Sequence, residues 1–407
     1  MNNILLIDYG ATRIKSMCVD IDDNIIIDSI EIPSPSIINY SNDPNRFEIP
    51  AIKYAEAFNI IVNKFNNINA ICICSEMHGF VYNDTYISWK DQRSFIDEID
   101  REKFLLTTGM ILRKGLPYSI LYNIKSKTKF KFYTLIDYIL EKNNVKDLHS
   151  SYTLAASTGL INVHSKTWIE DFNYLDFFPI SKNEILGTYN SIPIYFGLGD
   201  LQSALIGSNI GIDANAVINL GTGSQVAVLT SDINGFEIRP LNHNTFVKVQ
   251  THIPCGRALN IISRFIDSIG YNGQFWKLWN NLSVDEILST DSTSDLNFFE
   301  SARDYSNHSG HISLRESSCT ISNVLPSIAR NFIQQYINSL NLLDSNFNIH
   351  KVVVSGNISR ITKFILPALN ALDEKRSYTT IDLATNEETL DGLLKQLRKK
   401  NNDNSTW

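Results

Sequence analysis

The sequence predicts an α/β protein of two related domains, and three observations carry that prediction. Its 407 residues, 43% of them hydrophobic, are more than one hydrophobic core usually serves. A hairpin pattern occurs twice, as "NILLIDYG" with "ATRIKSMCVD" near the start and as "NAVINLGTGSQVAVL" at residues 215–229. Between and after the hairpins, apolar runs of buried-strand length alternate with stretches of helical spacing. The expected domains are residues 1–208 and 209–400, with a frayed tail at 401–407.

In chain order, the first run ends in Asp8-Tyr9-Gly10, and "IDDN" marks a second turn before "IIIDSIEI". This predicts a three-stranded antiparallel meander. A helix is expected over 51–66, followed by a buried strand, "INAICICS", and another helix over 118–143. "IPIYFGLG" reads as a buried strand that passes into the helix "LQSALIGS", with Asp200 at its first turn. After the second hairpin, helices are expected over 257–269, 324–343 and 359–372, while the Ser-, Asp- and Asn-rich residues 281–297 read as a surface excursion. "KVVVSGNISRITKFILPAL" is a strand, a Gly loop and a helix, which aims backbone N–H groups at whatever sits over the loop.

Composition narrows the function classes. With 36 basic and 43 acidic residues, a net charge of −7 and no basic cluster, neither nucleic acid nor a membrane surface is an expected partner. A small soluble ligand is. Five cysteines without a regular framework read as reduced thiols of a cytoplasmic protein; no run of about 18 apolar residues occurs, and "MNNILLIDYG" does not read as a signal peptide, so neither export nor a membrane span is expected. "HSGH" (308–311) and the Cys72/Cys74 pair lack companions at zinc-site spacing.

The two turns, Gly10-Ala11-Thr12-Arg13 and Gly221-Thr222-Gly223-Ser224, offer unhindered N–H groups and hydroxyls suited to phosphate, with Lys15 as a nearby cation. Either turn alone is more often an ordinary hairpin; their duplication, with a third Gly loop at 355–357, favours the phosphate reading. Asp8 ends an apolar strand and is either a turn cap or a carboxylate for hydrated Mg²⁺. Asp200 is either an N-cap or, exposed where α/β sheets place ligands and kept ionised by the helix dipole, a proton acceptor for phosphoryl transfer to an alcohol. "CSEMHGFVYND" and "ISWKDQRS" join polar groups to apolar surface, the combination sugars need. His78 alone is more often structural, and Asp91 and Arg93 have a plain reading as a surface salt bridge.

These segments together resemble the FGGY carbohydrate kinases of the actin-like ATPase superfamily. "IDYGATRIKSMCVD" resembles the first phosphate segment of that family, "CSEMHGFV" and "ISWKDQRS" its sugar segments, and "GLGDLQSALIG" its catalytic-base segment. "INLGTGSQVAVL" resembles the second phosphate segment and "VVVSGNISR" the adenosine loop. The resemblance implies two ribonuclease-H-like domains with a catalytic cleft between them, and ATP- and Mg²⁺-dependent transfer to a primary hydroxyl of a ketose. It implies Asp200 as the base and Asp8 with the metal. Gly10, Thr12, Lys15, Gly221, Thr222, Gly223, Gly356 and Asn357 would serve ATP, and Glu76, Met77, His78, Trp89 and Asp91 the sugar. The likeness is strongest to members that convert sedoheptulose to sedoheptulose 7-phosphate, then to xylulokinase-type members. A catalytically weakened binding relative is a further alternative, and a homodimer stays open. Three departures stand out: Glu76 replaces a usual Gln, the adenosine loop has one glycine, and the ending "TTIDLATNEETLDGLLKQLRKK" is a thin match.

Overall fold

The computed structural model describes residues 2–40, 42–124, 128–233, 235–290, 293–298, 310–313, 316, 320–385 and 387–404. His308 of the "HSGH" stretch and residues 405–407 of the expected tail lie outside the described residues. The chain packs as two compact units. The first comprises residues up to Gly207 together with Ser231–Phe246 and the stretch from Leu383; the second comprises Ser208–Thr230 and Val247–Asp382.

In the first unit the expected meander forms. Strands Asn3–Tyr9, Arg13–Asp20 and Ile25–Pro33 pair antiparallel in sequence, with Tyr9 opposite Ile14 across the first turn. The first strand also pairs in parallel with Ile68–Ser75, which pairs in parallel with Ile192–Gly199; Ile185–Tyr189 closes that edge antiparallel. Parallel strands buried on both faces carry near-continuous apolar runs, as in "NILLIDY" and "INAICICS".

The second unit repeats the topology. Strands Phe246–Pro254, Gly223–Thr230, Ala216–Leu220, Lys351–Ser355 and Ser377–Thr379 lie side by side in that order. Ala216–Leu220 pairs antiparallel with its hairpin partner and in parallel with Lys351–Ser355, as Asn3–Tyr9 does with its own neighbours. The duplication read from the two Gly turns is therefore a duplication of a whole sheet.

Several helices form where the apolar spacing places them: Ile52–Lys64, Gly256–Ser268 and Ile321–Leu343. Others differ. The helix expected over 118–143 is two, Pro117–Ile124 and Leu135–Lys142, separated by the strand Phe130–Lys131; the second starts at a reciprocal cap between Thr134 and Asp137. The helix expected over 359–372 is also two, Asn357–Ile361 and Ile365–Leu372. Residues 281–297 are not merely an excursion, because a Ser283–Glu286 cap opens the helix Val284–Ser289, whose Ile287 is fully buried.

The end of the chain needs the largest correction. Neither the boundary at 208/209 nor the frayed tail describes it, because helix Glu388–Asn404 returns to the first unit and runs through the first four tail residues. Its charged residues mask an apolar stripe, Leu390, Leu393, Leu394 and Leu397, at the i, i+3, i+4, i+7 spacing of one helix face. All four leucines pack on Ile4, Leu6, Met17, Val19, Cys72, Cys74, Phe196 and Leu198, and each buried leucine contributes roughly 1.5–3 kcal/mol. Gly392 lets this helix approach Gly207 and Ser203; a Cβ there would stand 1.8 Å from the Ser203 carbonyl oxygen.

Candidate functional site

The parallel registers bring three strand ends to one place in the first unit. Tyr9 stands opposite Ser75, and Ser75 opposite Gly199, so Asp8, Glu76 and Asp200 gather at the C-terminal ends of adjacent parallel strands. That is where open α/β sheets present their ligand-binding residues.

Asp200 begins the helix Asp200–Gly207 and is half-buried; its Oδ1 accepts the N–H of Leu201 at 2.8 Å. Burial, reinforced by the negative charge of Asp8, pushes its carboxyl up to about 7 despite the backbone donors that favour ionisation. The expectation that the helix dipole keeps Asp200 ionised is corrected, because near neutrality desolvation outweighs it. A carboxyl near 7 is better matched to proton transfer at neutral pH than one near 4.

Asp8 is almost fully buried and does not cap its own turn. Its Oδ2 accepts the Thr389 hydroxyl at 2.7 Å and its Oδ1 the Cys74 thiol at 3.5 Å. Burial raises its pKa above the ordinary value, and the two donors oppose that rise. Lys15 faces Asp8 in the antiparallel register, but its ammonium is paired with Glu387 at 2.7 Å. Among the described residues no three of His, Cys, Asp or Glu form a metal cage. The set that is present, Asp8 and the Asp200 whose pKa its charge raises, suits Mg²⁺, which takes one or two carboxylates and completes its shell with water and phosphate.

Glu76 is buried and pushed up to about 7, first by desolvation and then by the charge of Asp200. Trp89 donates toward it, and Lys90 adds an opposing positive charge. The Tyr54 and Tyr86 hydroxyls are directed at it without reaching hydrogen-bond geometry. Met77 lies against Gly199; a Cβ at Gly199 would stand 2.3 Å from the Met77 sulfur, so glycine there lets the thioether sit beside the strand that ends at Asp200.

His78 holds a left-handed backbone, φ 64°, unusual for a non-glycine residue and common at binding sites. Its Nδ1 lies 2.7 Å from the Ser157 carbonyl oxygen, which only accepts, so Nδ1 carries the proton and Nε2 is the acceptor. Burial, then Arg239 and Arg113, hold the ring neutral well below the usual histidine range. Those arginines both pair with the buried Glu237. Burial opposes ionisation of Glu237, but the two guanidinium groups outweigh it and hold its carboxyl at about 2.

The structure corrects two further expectations. Asp91 is completely buried rather than turned to a sugar, and both its oxygens are used by Arg93 Nε, at 3.0 and 2.9 Å, and by the N–H groups of Arg93 and Phe47. It is no surface salt bridge either. Ser224 does not extend the second turn toward a ligand, since it is buried and its hydroxyl is shared with Tyr336 and the Ile253 carbonyl.

In the first turn, Thr12 is exposed and Gly10 is required by the chain, because a Cβ there would meet the Arg13 carbonyl at 2.9 Å. In the second, Thr222 and Gly223 are exposed, and a Cβ at Gly223 would meet nothing within 4 Å. Gly221 and Thr222 accept the first N–H groups of the helix Gly256–Ser268. Gly356, with φ 90° and the Leu220 carbonyl oxygen 2.5 Å from a Cβ position, is a glycine the fold itself demands. Asn357 is exposed beside it, while Ser355 is buried and bonded to Asn219, so Ser355 does not crowd the loop.

Sequence reasoning missed Thr389, Glu387, Cys74, Ser157 and the Arg113–Glu237–Arg239 cluster. Only the Cys72/Cys74 spacing was visible; Ser157 and Thr389 reach their partners in the site from 79 and 381 positions away. The cavity in the first unit lined by Lys182, Glu184, His243, Lys399 and Lys400, about 320 Å³, contains none of the candidate residues. The described cysteines, 18, 72, 74 and 255, are buried and unpaired by disulfides, and no described helix is long and apolar enough to cross a membrane.

No protein-family model and no curated protein sequence matches the chain. Solved structures do. A ligand-bound xylulose kinase from Lactobacillus acidophilus superposes with a TM-score of 0.78 at 17% identity, over 98% of this chain and 90% of that one. A xyloylose kinase from Brucella ovis gives 0.81 at 14%, over 98% and 91%. Plasmodium falciparum glycerol kinase with ADP gives 0.73 at 17%, over 98% and 90%. The chain has the two-domain, actin-like ATPase fold of these kinases.

Proposed function

We propose that this chain is an ATP-dependent carbohydrate kinase of the FGGY type, transferring the γ-phosphoryl group to a hydroxyl of a small polyhydroxylated acceptor. The observation that carries the reading is the gathering of Asp8, Glu76 and Asp200 at three adjacent parallel strand ends, with a proton acceptor near 7 among them. The fold shared with xylulose and glycerol kinases supports it.

In this reading Asp200 takes the proton of the acceptor hydroxyl as its oxygen forms a bond to the γ-phosphorus. The bond from that phosphorus to the β–γ bridging oxygen breaks, and ADP leaves. Asp8 would hold the Mg²⁺ that accompanies ATP, whose charge neutralises the phosphate oxygens. Met77 supplies apolar surface, and His78, kept neutral with Nε2 as acceptor, reads a hydroxyl. Glu76 and Trp89 border the same acceptor. Gly10, Thr12 and Lys15 on the first unit, and Gly221, Thr222 and Gly223 on the second, are the proposed phosphate segments. Gly223 supports this, because no packing need of the chain requires glycine there. Gly356 and Asn357 are the proposed adenosine contacts.

A ketose phosphorylated at a primary hydroxyl is the proposed acceptor, sedoheptulose first and xylulose second. A binding-only relative draws on one observation, the Lys15–Glu387 pair, which engages the cation of the first turn. The deciding experiment is coupled ADP release with Mg²⁺ and ATP across sedoheptulose, xylulose, gluconate and glycerol, against a control without acceptor. One acceptor raising ADP release well above that control is the expected result. A purified, folded chain that binds a sugar yet releases no ADP with any acceptor overturns the kinase reading in favour of binding alone.

A further inference from the structure

We infer that Thr389 is a positioning residue for Asp8, through which the C-terminal helix sets the metal requirement of the site; this rests on the reading above that Asp8 holds the metal of ATP. Thr389 Oγ1 donates to Asp8 Oδ2 at 2.7 Å across 381 residues of chain. The opposite oxygen, Oδ1, meets only the long, weak contact from Cys74 Sγ at 3.5 Å among the printed bonds of the described residues. The hydroxyl therefore fixes the carboxylate plane and claims Oδ2, which leaves Oδ1 as the oxygen best able to hold a metal or its water.

Thr389 is itself held. Its carbonyl accepts the Ser203 hydroxyl at 2.6 Å, and Ser203 lies on the helix that begins with Asp200. One residue thus ties the strand of Asp8 to the helix of Asp200. Two positions earlier Glu387 takes Lys15, the register partner of Asp8. The segment is stiffened from within: Asp391 accepts the N–H groups of Ala384 and Thr385, each at 2.8 Å, and the Thr385 hydroxyl donates to the Glu387 carbonyl at 2.9 Å. A group that orients a metal-binding carboxylate typically changes metal affinity by about 10–100-fold when lost.

The test compares wild type, Thr389→Val and Thr389→Ser by Mn²⁺ titration followed by electron paramagnetic resonance with ADP present, by the Mg²⁺ dependence of turnover, and by thermal unfolding. Valine is expected to weaken Mn²⁺ binding about 10-fold and to raise the half-saturating Mg²⁺ similarly, with serine restoring both. A merely structural threonine would lower the unfolding temperature without moving the metal dependence, which overturns the inference. Should valine not fold, Thr389→Ala provides the same comparison. Unchanged metal affinity in a folded Thr389→Val or Thr389→Ala overturns the positioning role while leaving the kinase reading intact. A wild type that binds no Mn²⁺ overturns it too, whereas metal binding without phosphorylation of any acceptor sinks only the kinase reading.

Discussion

Asp200 and Leu201 form a closed local pair, the carboxylate accepting the N–H of the very next residue at 2.8 Å. An amide oxygen accepts the same bond, so Asp200→Asn is expected to keep the helix start and nucleotide binding while removing the base. Turnover should fall by about 10²–10⁴-fold, read by steady-state ADP release beside calorimetric ATP affinity. Turnover within a few-fold of wild type would sink the assignment.

The pH dependence follows from Glu76 and Asp200, both near 7 and coupled. A base must be deprotonated, so kcat/KM should rise through about pH 7 and level off above. Glu76→Gln, by removing a neighbouring negative charge, should move that limb to lower pH. The stability signs are opposite for different groups. Because the folded pKa of Asp200 lies above its ordinary 3.8, the native state holds the extra proton, and the contribution of this group weakens as pH rises from about 4 to about 7. Glu237, held at about 2, contributes stability above its ordinary 4.5 that is lost as pH falls toward 2. Melting curves should therefore show Asp200→Asn above wild type by about 2–4 °C at pH 8 and level with it at pH 4.

Asp91→Ala tests a structural role. It leaves the Phe47 N–H without its acceptor and the Arg93 guanidinium with Glu48 alone, and because Arg93 is one-third exposed the cost is discounted to about 2 kcal/mol. Urea unfolding should show a lower midpoint. A folded variant with native stability and an altered sugar KM would return Asp91 to the substrate side.

Gly392→Ala forces apart two helices, since the added methyl would overlap the Ser203 carbonyl. Overpacking of this kind costs about 1–3 kcal/mol. The shift lands on the helix carrying Asp200, so both the unfolding midpoint and turnover should drop, whereas Gly223→Ala, which meets nothing, should leave the midpoint unchanged.

The sheets were legible because buried parallel strands write themselves as apolar runs closed by Gly turns, and Asp8, Glu76 and Asp200 each follow such a run. The split of 118–143 was not, because "LPYSILYNI" and "LIDYILEK" share helical spacing, and the short strand Phe130–Lys131 and the Thr134–Asp137 cap that part them leave no break in that spacing. The buried state of Asp91 was hidden for another reason: nothing within "ISWKDQRS" tells which neighbours, here Phe47 and Glu48, arrive from elsewhere. Thr389 and Glu387 escaped because helix periodicity reports which face is buried, not what lies beneath it.

The return of the last helix to the first sheet has a consequence for biosynthesis. During translation the face made by Ile4, Leu6, Val19 and Phe196 lacks the cover of Leu390 to Leu397 until these leave the ribosome, after the entire second unit has been made. A nascent chain stalled near residue 380 should accordingly expose a sticky apolar surface to chaperones, and a stop codon a few dozen positions early should yield an insoluble product.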